Sequence, residues 1–201
     1  MITKTRIIIT AVSFVIAISS YAQTSKAVTE YLAVPGPIIL NKESFGLVWS
    51  SHPSATYYKQ EYIGSKDKVE KFKKMVMIEV LTGDARAADL AKAKIAELKQ
   101  LKETNPLVNY EMFQKNGEII IDFLLSENSS DGKSINIIER NVYLYKDIVD
   151  KNGKKGVMLF GVSERSYGND VDAFLSSLKK NKSTLVNAVA AFVIPELTIK
   201  K

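Results

Sequence analysis

The hydrophobic pattern along the chain alternates between two periods, and each change of period marks an element. Over residues 118–127, Ile119, Ile121, Phe123 and Leu125 fall on one face and Ile120 and Leu124 on the other. That is the pattern of a strand covered on both sides. Asn116-Gly117 separates this run from residues 107–115 and predicts a two-residue type I′ turn, with Lys115 opposite Glu118. Residues 134–147 and 154–167 flank Asn152-Gly153 and predict a second hairpin. The apolar phase changes between Ile137 and Ile138, so a bulge or an edge-to-centre transition is expected there. Upstream, residues 75–81 read as a buried strand carrying one charge, Glu79. Apolar runs at 37–40 and 45–49 read as two strands around a tight turn.

A helical period replaces the alternation in two regions. Ala87, Leu90, Ala91, Ile95, Leu98 and Leu101 lie within one arc at 100° per residue, behind Asp84 as the expected N-cap and ahead of Asn105-Pro106 as a stop. Val171, Phe174, Leu175 and Leu178 recur at helical spacing behind Asn169. Leu185, Val186, Val189, Phe192 and Val193 do so from a Ser183 cap to Pro195. No internal repeat and no linker interrupts the chain. One domain is therefore expected over residues 38–201, preceded by a lead-in at 23–37 that ends in Val34-Pro35-Gly36-Pro37. The expected class is α+β: an antiparallel sheet with helices packed on its faces.

Residues 1–22 have a separate character. Lys4 and Arg6 precede an apolar run from Ile7 to Ile18, and Ser20-Tyr21-Ala22 places small residues where a signal peptidase reads them. The run is too short to cross a bilayer of ~30 Å as a helix. The reading is a cleaved secretory signal, with a mature protein that is periplasmic or extracellular and has no transmembrane segment. The chain has no Cys. A lipid anchor on Cys, a disulfide, a thiolate metal site and a Cys nucleophile are all excluded. Loss of residues 1–22 takes Lys4 and Arg6 from 28 cations and nothing from 22 carboxylates, lowering the formal charge from +6 to +4. The remaining arginines are Arg86, Arg140 and Arg165, a poor set for duplex readout, so no nucleic-acid partner is expected.

Candidate chemistry is sparse. The chain contains no phosphate-gripping glycine loop, no dinucleotide fingerprint, no H-E-x-x-H and no EF-hand loop. Gly161-Val162-Ser163-Glu164-Arg165 starts like a nucleophile elbow but carries Arg where the second Gly belongs. His52 is the one imidazole, with no second His or Cys to complete a metal site or a triad. No catalytic residue, metal or cofactor is assigned. His52 reads either as a general base or isolated binding ligand near Trp49, Tyr57 and Tyr58, or as a strand-end ring stacked on those aromatics and bonded to a backbone carbonyl. Trp49, His52, Tyr57, Tyr58 and Tyr62 form the most unusual local group: a flat surface for a partner, or a plug at the end of the fold. Glu139-Arg140 and Glu164-Arg165 face one another across the second hairpin, as a cross-strand ion ladder or as a carboxylate pair for acid and base work. Asp122, if covered, requires a cationic partner.

The order of elements over residues 38–194 is similar to the Mog1/PsbP-like sandwich, and that resemblance implies binding and assembly roles. The segments 46–53 (GLVWSSHP) and 57–62 (YYKQEY) resemble an exported Bacteroidetes-type family without an assigned function. Neither resemblance transfers a functional residue. The functional expectation is an exported, non-enzymatic binding or accessory protein that recognises a protein or an envelope component. The alternatives are a carboxylate-dependent hydrolase of an envelope polymer and a periplasmic inhibitor or immunity protein.

Overall fold

The computed structural model describes residues 28–200, so the predicted leader lies outside the described residues. Eight strands form one antiparallel sheet: β1 (Ile38–Leu40), β2 (Glu43–Ser54), β3 (Tyr57–Ile63), β4 (Lys74–Thr82), β5 (Asn109–Lys115), β6 (Glu118–Asn128), β7 (Ile135–Val149) and β8 (Lys155–Tyr167). Helix α1 (Ala87–Thr104) separates β4 from β5, and α2 (Val171–Ala190) follows β8. The strand order is β1-β2-β3-β4-β8-β7-β6-β5. Two four-stranded meanders are thus joined where β8 pairs with β4, from Lys74↔Glu164 to Thr82↔Gly156. Gly156 makes that seam possible, because a Cβ there would collide with the carbonyl oxygen of Leu81.

This architecture corrects the expected class. Strand makes up 46% of the structure and helix 24%, and the sheet curls into a half-barrel instead of lying flat between helical layers. The Mog1/PsbP-like sandwich falls with that expectation. The misreading has a physical origin: alternation that is apolar on both faces says a strand is covered twice, without saying by what. Here the sheet's own curl and two extended segments do much of the covering. Leu32 and Val34, from the lead-in, and Leu197 and Ile199, from the end of the described chain, join Val76, Ile78, Val80, Phe160 and Val162 in one cluster. On the opposite face Met75, Met77, Ile121, Phe123 and Tyr145 form the second, where α1 contributes Ala87, Ala91 and Leu98.

The lead-in is held by polar side chains from β3. Gln60, fully buried, accepts from the amides of Tyr31 (2.7 Å) and Leu32 (3.0 Å) and donates to the carbonyl of Val34 (3.2 Å). The Tyr62 hydroxyl donates to the same carbonyl at 2.7 Å. The amides of Thr198 and Lys200 then donate to the carbonyls of Leu32 and Tyr31.

The hairpins match their sequence signals closely. Asn116 and Gly117 both adopt positive φ, 53° and 80°, and Lys115 pairs with Glu118. The β6–β7 irregularity sits opposite Glu127 and Asn128, where Asn136 is the extra residue, one position ahead of the predicted phase change. Helix caps depart further. Asp84 does not cap α1: Arg86 occupies the N-cap, and Asp147 of β7 accepts the Ala87 amide at 2.7 Å. The two helices predicted after β8 are both present, joined end to end within α2 across a break at Asn181 (φ −121°, ψ 22°), two residues ahead of the expected Ser183 cap. No helix among the described residues is long and apolar enough to cross a membrane.

Candidate functional site

Strand alternation decides where the aromatic group goes. Tyr58 and Tyr62 point into the first core cluster, 4% and 0% exposed. His52, at the exposed end of β2, lies parallel to the Tyr58 ring with centroids 4.1 Å apart, and its Nδ1 is 3.0 Å from the carbonyl of Tyr57. Tyr57 and Trp49 are half-buried and belong to the opposite face. The five residues therefore do not form one surface.

On that opposite face Tyr57 enters a polar network. Its hydroxyl donates to Glu79 Oε2 at 2.7 Å, and the Lys59 ammonium lies 2.9 Å from Glu61 and 3.4 Å from Glu79. Burial, reinforced by the Glu79 charge, pushes the Tyr57 phenol above its ordinary range. Burial alone would lower the Lys59 pKa, but Glu79 and Glu61 outweigh it and the ammonium is held above its usual value. The polar tips of Tyr57 and Lys59 are thus both engaged by carboxylates of neighbouring strand positions.

The Glu-Arg ladder is split by the same rule. Glu139 and Arg165 are direct cross-strand partners and form an ion pair, with the guanidinium 4.2 Å from the centroid of Phe72. Glu164 neighbours Arg165 along β8, so it points to the other face and meets Lys74 at 3.4 Å. Glu139 and Glu164 consequently cannot act together across one cleft, and the hydrolase built on that pair loses its geometry. Arg140 stands opposite Glu164 in register, yet its side chain reaches across to β6. Its Nε and Nη2 donate to Asp122 Oδ1 and Oδ2, each at 2.9 Å, and Nη2 also donates to the carbonyl of Lys182 at 2.5 Å. Asp122 has the partner its burial requires, and the same guanidinium anchors the kink of α2.

Above this buried pair lies an open groove of about 860 Å3 between α2 and strands β5 and β6. Ile120, Phe113 and Val186 give it an apolar lining, Asp122 lies in its floor, and Lys179, Lys180 and Lys182 stand along α2. Its carboxylates are engaged: Glu111 with Lys182, Glu118 with Lys146, and Asp122 with Arg140. Lys115, Lys179 and Lys180 have no carboxylate within 4 Å among the described residues. The groove thus combines apolar contact area with unneutralised positive charge.

Sequence reasoning missed this place. Neither Lys179, Lys180 and Lys182 nor Phe113 belongs to any sequence motif. Their convergence requires knowing that α2 returns across β6 and that β5 is an edge. The available signal was Met112-Phe113 in a strand with little else apolar.

A family model matches residues 32–194, and the chain belongs to that family, to which no function is assigned. No curated protein and no solved structure matches the chain.

Proposed function

We propose that this is an exported protein that acts by contact and not by turnover, recognising a partner protein or envelope component through the groove between α2 and the β5–β6 hairpin. The observation that carries this reading is the state of the groove's ionisable groups. Each carboxylate lining it is tied to a cation, and the free groups are lysines on the rim. A catalytic acid or base must reach its substrate, and both carboxylate oxygens of the buried Asp122 are taken up by the Arg140 guanidinium. An apolar lining within a charged rim is the usual layout of a contact surface. The leader-like residues 1–22 support residence outside the cytoplasm, and the segments 46–53 and 57–62 support kinship with exported Bacteroidetes-type proteins.

The test compares capture from an envelope extract by three immobilised proteins: the native chain, Phe113→Glu/Lys179→Glu/Lys180→Glu, and Lys92→Glu/Lys99→Glu. The last makes the same kind of charge change on exposed positions of α1. A partner retained by the native and α1 proteins and lost from the groove variant supports the reading. Equal retention by all three overturns it. A single tightly held protein would narrow the assignment to an inhibitor or immunity role.

A further inference from the structure

The two edges of the sheet are built differently. β1 has three residues and lies next to Pro37, a short edge of the kind that discourages pairing with another chain. β5 has seven residues, contains neither Pro nor Gly, and is exposed at every position except half-buried Tyr110. Its backbone bonds among the described residues run to β6 alone, so its outward amides and carbonyls are unpaired. Met112 and Phe113 are 51% and 43% exposed, which puts a large apolar side chain on each face of this edge. One of its charges, Glu111, is already held by Lys182, leaving Lys115 as its sole unengaged charge. This is an open edge beside a groove.

We infer that the ligand of this surface is an extended, acidic segment of another protein that adds to β5 as a ninth strand. The inference rests on the groove reading and specifies its occupant. A strand added to β5 alternates its side chains between two faces. One set lies on the groove side, with Phe113 and the rim lysines Lys115, Lys179 and Lys180. The other lies with Met112. Residual charge selects between acidic and basic segments. The groove's carboxylates are neutralised in place, and what remains is positive. Unpaired backbone supplies affinity, the exposed Phe113 and Met112 supply apolar contact, and the lysines set the sign of the alternate side chains.

The probe is a fluorescently tagged heptapeptide that alternates valine with glutamate, capped at both ends and titrated against the full mature chain by anisotropy. Two companion peptides carry lysine in place of glutamate, or N-methyl groups on alternate amides. The expected result is saturable binding of the acidic peptide. N-methylation and Lys179→Glu/Lys180→Glu should each weaken it by about tenfold or more. Slowed amide exchange over Asn109–Lys115 should accompany binding. Equal binding of the N-methylated or lysine peptide overturns strand addition. If no peptide binds while the groove variant still loses its captured partner, the strand inference fails and the groove reading stands. If capture ignores the groove variant, the groove reading itself fails. Concentration-dependent dimerisation of the protein alone, with exchange protection confined to β5, would make a second copy the occupant and overturn the assignment to another protein.

Discussion

Arg140→Met removes a guanidinium that makes three hydrogen bonds in a site where it is 3% exposed and its partner Asp122 is 5% exposed. The carboxylate is then left in an interior that neither hydrates nor neutralises it, and the carbonyl of Lys182 loses its donor at the kink of α2. Deleting one member of a buried ion pair costs about 3–5 kcal/mol, while replacing both with apolar residues of similar volume is often close to neutral. With a urea dependence of about 2–3 kcal/mol per molar for a domain of this size, the midpoint should fall by about 1–2 M. The double variant Asp122→Leu/Arg140→Met should recover most of that loss, keeping a deficit of about 1 kcal/mol for the orphaned Lys182 carbonyl. Urea melts of the wild type, both single variants and the double variant close the cycle. A single-variant loss below about 1 kcal/mol would refute the reasoning, as would a double variant no better than the sum of its singles. Either outcome would mean that water reaches the pair.

Asp150 is 6% exposed and accepts from the amides of Asn152, Lys154 and Ile199, at 2.9, 2.8 and 3.2 Å. Burial opposes its charge, but those amides outweigh burial and hold its carboxyl below the ordinary value of 3.8. Its contribution is therefore complete above that value and is lost as the pH falls through the lower folded-state value. Asp150→Asn should cost about 1–3 kcal/mol by urea melting at pH 7, with the gap to wild type closing as the pH falls below 3.8. A gap that widens in acid would show the sign to be wrong. Gly156→Ala and Gly161→Ala should both destabilise, Gly156→Ala more. Its Cβ meets the Leu81 carbonyl on the paired strand, whereas the Gly161 Cβ meets side chains, with Met77 Cγ at 2.7 Å and Tyr143 Cδ1 at 3.0 Å. Thermal melts that rank the two in the other order would mean that the β4–β8 seam opens more readily than the side chains repack.

The sequence carried the local grammar of this fold well and its closure poorly. Asn116-Gly117 specified a turn, a register and the pair Lys115–Glu118 through backbone chirality alone, which needs no knowledge of the rest of the molecule. The continuation of β2 through His52-Pro53 was hidden, because Pro53 falls within a register shift between Ser51 and Ser54 where no ladder bond is required of it. The N-cap at Asp84 failed for a similar reason. A carboxylate remote in sequence, Asp147, took the amide that a local side chain was expected to satisfy. The candidate site was the least legible part. Glu139, Arg140, Glu164 and Arg165 were correctly placed along their strands, yet their partners depended on face and on the third strand. Arg140 chose Asp122 over its direct neighbour because the buried carboxylate had the greater need of neutralisation.

The stitch between residues 31–32 and 198–200 leaves the two ends of the described chain side by side. A bridge of a few flexible residues could join them without disturbing the sheet. The exposed Asn116-Gly117 turn would serve as new termini, because circular permutation asks only for neighbouring ends and a cut where little is buried. Opening the chain at Asn116-Gly117 would convert β5 from an interior stretch of polypeptide into a terminal ribbon, free to be exchanged between molecules.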